Sequence, residues 1–149
     1  MSSESTAIVE RNCPVCGANA GKHYLQKNRV VLVQCRECSM IYANPVPSEY
    51  LSGRYYDQGG ADYYLSPAKL EGDYSKVRFE RELRLFRRYC ASGTVLDVGC
   101  SSGAFLFQVT QRFPGCYQVV GTDVSGPPLD YAESRGLPVV RGDFLGQAA

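Results

Sequence analysis

The chain predicts an α/β protein: a small four-cysteine metal module, a connecting helix, and then the first three strands of a parallel sheet. Three observations carry this expectation. Two CxxC pairs, Cys13-Pro14-Val15-Cys16 and Cys35-Arg36-Glu37-Cys38, place four thiols in the first third of the chain. An acidic, glycine-bearing turn follows a short apolar run in Val95-Leu96-Asp97-Val98-Gly99-Cys100-Ser101-Ser102-Gly103. Beyond it, helical and strand patterns alternate, as they do in a parallel sheet with crossover helices.

Length and composition agree with a globular chain. The 149 residues suffice for one ordinary domain, or for a small module plus part of a larger one. An apolar content of 44% with 21% charged residues is that of a water-exposed globular protein. A net charge of +1 supplies no broad basic field, so nucleic acid is an unfavoured partner. The polar start lacks the layout of a signal peptide, and no apolar run is long enough to span a bilayer. Seven cysteines, four of them in CxxC pairs, fit a reducing compartment with a metal better than a disulfide framework. The expected location is therefore the cytoplasm, with no membrane association.

The organisation is read in four parts. Residues 1–12 form a loose polar lead, and residues 13–45 the metal module. Residues 46–92 form a tyrosine-rich linker and helix, and residues 93–149 the parallel-sheet segment. In the metal module each CxxC turns two thiolates toward one point, and two such turns complete a tetrahedral sulfur shell that suits a structural zinc. The expected ligands are Cys13, Cys16, Cys35 and Cys38. Eighteen residues separate Cys16 from Cys35, room for a hairpin, with strands expected at 30–34 and 40–42. Gly17 permits a left-handed conformation just past the first pair. His23, between the pairs, reads as a loop residue. Pro45 and Pro47 are expected to end strand pairing and leave an extended link.

Tyr50, Tyr55, Tyr56, Tyr63 and Tyr64 crowd the start of the linker, among Gly53, Gly59 and Gly60. Packing against a larger domain is the first expectation for them, and a lid over a cofactor the second. Phe79, Leu83, Phe86 and Cys90 then fall at spacings of 4, 3 and 4, one apolar stripe of a helix whose remaining sides are charged.

The last third predicts a buried strand at 94–98, a turn, and a helix opening at Ala104. A second strand, 117–123, ends in Asp123, and Pro127-Pro128 favour a helix start. Gly136 fits the end of that helix, and 138–144 make a third strand running toward Asp143. The turn itself discriminates between ligands. A dinucleotide fold uses G-x-G-x-x-G to bring pyrophosphate onto a helix N-terminus. Here an aspartate precedes a turn with only two glycines, poor company for phosphate but suitable for a cationic ligand bearing a ribose. Asp123, at the end of the second strand, is placed to accept from ribose hydroxyls. The competing reading makes Asp123 a solvated strand end or a helix cap.

VLDVGCSSGAFL, VVGTDVS and VVRGDF, in residues 94–144, resemble the first half of a class I S-adenosylmethionine-dependent methyltransferase. The cysteine module with IYANPVP and RYYDQGGADYY is similar to bacterial methyltransferases that carry an N-terminal zinc ribbon, many associated with small-molecule or surface-glycan modification. The likeness spans roughly residues 13–146 and implies a Rossmann-like sheet. It sets Asp97, Gly99 and Gly103 around the methionine part and the turn, Asp123 at the ribose, and Asp143 with Phe144 at the adenine. Cys100, Ser101 and Val124 complete the candidate cofactor set. Ser101 stands where the family often has a middle glycine.

The chain supplies about three strands of a core that has seven in that family, so the C-terminal part of the fold is expected to be absent. No catalytic base can be named, and many methyl transfers need chiefly alignment. The expected function is methyl transfer to a small-molecule or glycan-precursor acceptor by such an enzyme or a fragment of one. A non-catalytic zinc-binding or interaction module with a vestigial transferase half is the main alternative, and an RNA methyltransferase a lesser one. Self-association, or a second chain, could cover the sheet edge this leaves open.

Overall fold

The structure is a computed structural model, and it describes residues 7–57, 61–124, 126–142 and 144. It divides into two compact units, Met1–Ser52 and Gly53–Ala149.

The first unit is antiparallel. Strands β1 (Ile8–Val9), β2 (Gly21–Lys27), β3 (Val30–Cys35), β4 (Ile41–Ala43) and β5 (Val46–Pro47) precede a single helical turn, α1 (Ser48–Leu51). β2, β3 and β4 form one three-stranded sheet in that order. Lys27 pairs with Val30, so β2 and β3 are joined by a two-residue turn in which Asn28 takes a left-handed backbone, φ 54°. β1 and β5 form a separate two-stranded ladder with Ile8 opposite Pro47 and Val9 opposite Val46. This differs from the extended link expected of the two prolines. An edge strand with a single partner needs no N–H from Pro47 on that side, so proline is tolerated there. Ile8 and Val9 lie within the segment read as a loose lead. The unit has little apolar core: Cys13, Cys35 and Tyr42 are buried, with Ala18 and Val33 packed around them.

The second unit is a mixed α/β layer structure. Its elements are α2 (Ala61–Tyr64), α3 (Pro67–Tyr74), α4 (Glu80–Tyr89), β6 (Gly93–Val98), α5 (Ala104–Arg112), β7 (Tyr117–Asp123), α6 (Gly126–Ser134) and β8 (Val139–Arg141). The three strands are parallel, in the order β6-β7-β8, with Leu96 opposite Val120 and Gly121 opposite Val139. A helix follows β6 and another follows β7, as parallel neighbours require a crossover.

One face of this sheet carries the core. Val95 and Val119 pack with Leu83, Leu106, Val109, Ala132 and Leu137. Leu83 is the centre of the stripe read on α4, and Phe79 and Phe86 flank it, both meeting Phe105 edge-on. The helix is one residue shorter than the stripe at each end, since Phe79 and Cys90 are its caps. Alternation puts Leu96, Val98 and Val140 on the other face, where all three are exposed. α3 is tied to α5 by a buried amide: Gln108 Nε2 donates to the Tyr74 and Ser75 carbonyls at 3.0 and 3.2 Å. Among the described residues no helix is long and apolar enough to cross a membrane.

Candidate functional site

The first candidate centre is built by two turns of the same design. In one, the Gly17 N–H donates to the Cys13 carbonyl; in the other, the Ser39 N–H donates to the Cys35 carbonyl. The residue after the second cysteine is left-handed in both, Gly17 at φ 73° and Ser39 at φ 65°. The sequence shows this need at Gly17 and hides it at Ser39. Each turn brings its cysteines inward, and the four Sγ atoms of Cys13, Cys16, Cys35 and Cys38 lie within 4.8 Å of one another. Cys13 and Cys38 sulfurs are 3.5 Å apart, and Cys16 and Cys35 sulfurs 3.6 Å. A disulfide would need about 2.05 Å. A tetrahedral ion with sulfur at about 2.3 Å would separate its ligands by about 3.8 Å, close to these spacings. The cluster could hold a metal ion.

The electrostatics favour this. The Cys16 N–H, then the Val15 N–H, stabilise the Cys13 thiolate and lower its pKa to about 6. The Ala18 N–H favours the Cys16 thiolate too, but contact with the Cys38, Cys35 and Cys13 sulfurs and burial push that thiol up to about 12. Crowded thiols cannot all ionise alone; a divalent cation replaces their protons. Cys90, Cys100 and Cys116 are outside the cluster. His23 is exposed on β2, opposite Val33.

The second candidate centre lies where β6 and β7 end. The Gly99 and Cys100 N–H groups both donate to the Thr122 carbonyl, folding the turn back onto β7. Gly99, Ser101 and Gly103 have φ of 79°, 50° and 77°, so three of five residues are left-handed. This is the physical reason a glycine suits position 101, since an L side chain there costs roughly 1–2 kcal/mol. The Ser101 N–H is held by Asp123 Oδ2 at 2.7 Å, which helps offset that strain.

A cavity of about 260 Å³ opens beside this turn, lined by Tyr56, Tyr64, Gly99, Ser101, Asp123, Val124 and Pro128. Gly99, Ser101, Asp123 and Val124 of the expected cofactor set thus share one wall. Cys100 and Gly103 do not line it. Cys100 is buried with its sulfur against Gly121, and Gly103 sits so close to Leu137 and Ala132 that a Cβ would collide with Leu137. Asp97, near the end of β6, is half-buried and does not line the cavity either, and burial followed by the nearby Asp123 charge raises its pKa. Phe144 is exposed and outside the cavity lining, and Asp143 lies outside the described residues.

Sequence reasoning did not single out Tyr56, Tyr64 or Pro128 as site residues. Tyrosine crowding was the available signal, but it did not tell lining residues from their neighbours. The segment that carries Tyr56 is held near the sheet by Asp57, whose Oδ1 accepts from the Gly126 N–H at 2.8 Å. Tyr74 supports the turn from below, donating from its hydroxyl to the Ser102 carbonyl at 2.5 Å. Compared with protein-family models and with curated proteins, the chain matches none.

Proposed function

We propose that the second unit is the N-terminal half of a Rossmann-like, S-adenosylmethionine-binding domain, and that the protein belongs to a methyltransferase acting on a small-molecule or glycan-precursor acceptor. The observation that carries this reading is the composition of the cavity at the strand ends. It combines the Gly99–Ser101 turn, the Asp123 carboxylate and two tyrosine rings, with no Lys, Arg or His among the described lining residues. Such a wall repels pyrophosphate and accommodates a ligand with an amino group, a sulfonium and a ribose. Asp123 would accept from ribose hydroxyls, as a carboxylate lining the cavity at the end of β7. The Gly99–Ser101 turn would carry the methionine part, with Val124 as an apolar contact. When bound, the cofactor supplies a methyl group activated on sulfur. The protein's part is to hold that group in line with an acceptor and keep water away.

The four-cysteine cluster is read as a structural zinc site, because four sulfurs leave no open coordination position for catalysis. The free edge of β6, which pairs with β7 alone among the described strands, supports a further strand or chain beside it, and the exposed Leu96 and Val98 support a layer over that face of the sheet.

Calorimetric titration with S-adenosylmethionine, S-adenosylhomocysteine and NAD tests the cofactor assignment. Binding of either adenosyl ligand without NAD binding supports it. Binding of NAD alone overturns it. Binding of none of the three favours the reading as a zinc-binding interaction module.

A further inference from the structure

A second cavity, of about 440 Å³, lies between α4 and the end of α5 and shares no lining residue with the one at the strand ends. Glu80, Leu83, Arg84 and Arg87 line it from α4, and Arg112 with Phe113 from α5. The stretch 76–88, which contains most of α4, carries six basic side chains and two acidic ones, in a chain whose net charge is only +1. Helix dipoles account for a cation such as Arg87 or Arg112 in the last turn of its helix. They do not account for three guanidinium groups lining one space.

Arg87 is held in place. Its Nη1 donates to the Ala91 carbonyl and, at 3.2 Å, to the Tyr117 hydroxyl, and its guanidinium lies 5.0 Å from the centre of the Phe113 ring. Arg112 is held through Nη2, which donates to the Lys76 carbonyl. Arg84 meets Glu80 at 3.3 Å, but the two side chains are 78% and 53% exposed, so water screens the pair. A guanidinium has five N–H donors in a planar fork that matches phosphate oxygens, and Arg84 and Arg112 meet these partners through a single nitrogen each. Three arginines against one glutamate give the described lining a net charge of +2. A phosphate monoester carries about −1.5 to −2 charges at neutral pH, so it balances this lining better than a singly charged phosphodiester does. The volume is that of a small-molecule site, and Leu83 and Phe113 add apolar surface for the body that bears the phosphate.

We propose that the cleft between α4 and the end of α5 binds a phosphate monoester of a small molecule, with Arg84, Arg87 and Arg112 supplying the charge and the donors. The site does not depend on the cofactor reading above.

The experiment titrates phenyl phosphate and inorganic phosphate into the full chain, followed by amide NMR, with sodium chloride at matched ionic strength as the blank. Saturable shifts are expected for residues 80–87 and 112–113, with phenyl phosphate the tighter ligand. Arg84→Gln and Arg112→Gln should each weaken phenyl phosphate about tenfold, the low end for a hydrogen bond to a charged group. Arg81→Gln and Arg88→Gln remove the same charge from α4 outside the lining, and each should cost less than about twofold. Glu80→Gln removes the one acidic group of the described lining and should tighten binding, a gain that a misfolded variant does not imitate. Equal losses in all four arginine variants, the signature of a polyanion lying along the helix, overturn the inference. Shifts that do not saturate in the unmodified chain, or a Glu80→Gln variant that binds no more tightly, overturn it as well.

Discussion

Asp123 closes the glycine-bearing turn by accepting the Ser101 backbone N–H at 2.7 Å, a contact across 22 residues that joins the ends of two parallel strands. One carboxylate therefore supports the shape of the turn and also lines the cavity beside it. The expected ribose role and a structural role are not alternatives at this residue. The turn contact is present in the structure, and the proposed ribose contact would be made by the same carboxylate from its place in the cavity lining.

Asp123→Ala should accordingly lower both thermal stability and affinity for S-adenosylhomocysteine. A hydrogen bond to a charged group contributes about 1.5–3 kcal/mol, which sets the scale of each loss. Asp123→Asn keeps an acceptor for the Ser101 N–H, so it should recover much of the stability while affinity stays reduced. Thermal unfolding and calorimetry on the same samples check this. Unchanged affinity in Asp123→Ala, with lowered stability, would confine Asp123 to the turn.

Elemental analysis should find one zinc per chain, and Cys35→Ser should lower it strongly. The buried core around Cys13, Cys35 and Tyr42 is small, so a metal bound by the four cysteines would supply much of the first unit's stability. Limited proteolysis of Cys35→Ser, or of chelated protein, should therefore cut within 13–43 before it cuts the second unit. Serine at Cys90, Cys100 or Cys116 should leave the zinc content unchanged. Zinc-free protein, or iron on these thiolates, would contradict the assignment.

Gly103→Ala tests the packing of the turn. A Cβ at Gly103 would stand 2.5 Å from Leu137 Cδ1 and 3.0 Å from the Ala132 Cβ, with the backbone at φ 77°. Overpacking costs about 1–3 kcal/mol. The left-handed backbone adds roughly 1–2 kcal/mol for any residue with a Cβ. Denaturant unfolding should show the sum. Gly17→Ala has the same backbone penalty but open space around the new methyl, so its loss should be the smaller one.

Asp97 should make the second unit less stable at neutral pH than in mild acid. Burial and the Asp123 charge raise its folded pKa above the ordinary 3.8. Between the unfolded and folded values the native state then binds more protons than the unfolded chain. The contribution of Asp97 to stability is therefore greatest below that window and is lost as pH rises through the folded pKa. Asp97→Asn should raise the melting temperature at pH 7 and flatten its change between acid and neutral pH. A lower melting temperature at pH 7 would show that the carboxylate is net stabilising where it sits. A stabilising Asp97→Asn that weakens ligand binding would mark Asp97 as kept for the cavity at a cost in stability.

The cysteine cluster was legible because its information is local. Two CxxC turns can hardly avoid presenting their thiols to a common point, and a hairpin of the observed length brings them together. The strands at 93–98 and 117–123 were legible as apolar runs bounded by turns, but the first was expected to be buried and only its Val95 is, because its other face is uncovered among the described residues. Short pairings were not. β1 and β5 have two residues each, too few to show a period, and prolines argued against the second.

What the sequence by itself determined is the set of residue types and spacings: four thiols at metal-ligand intervals, a glycine-bearing turn after a short apolar strand, and a carboxylate at the end of the next strand. Only the tertiary structure decided which members of each set face the same space. It turned Tyr56 and Tyr64 to the cavity and Tyr55 and Tyr63 to solvent, and sent Cys100 beneath the turn against Gly121. It also gave Gln108 two carbonyls of a helix more than thirty residues away. The reason is that side-chain direction depends on backbone dihedrals and on partners distant in sequence. Neighbouring tyrosines with identical chemistry receive opposite environments from the packing around them.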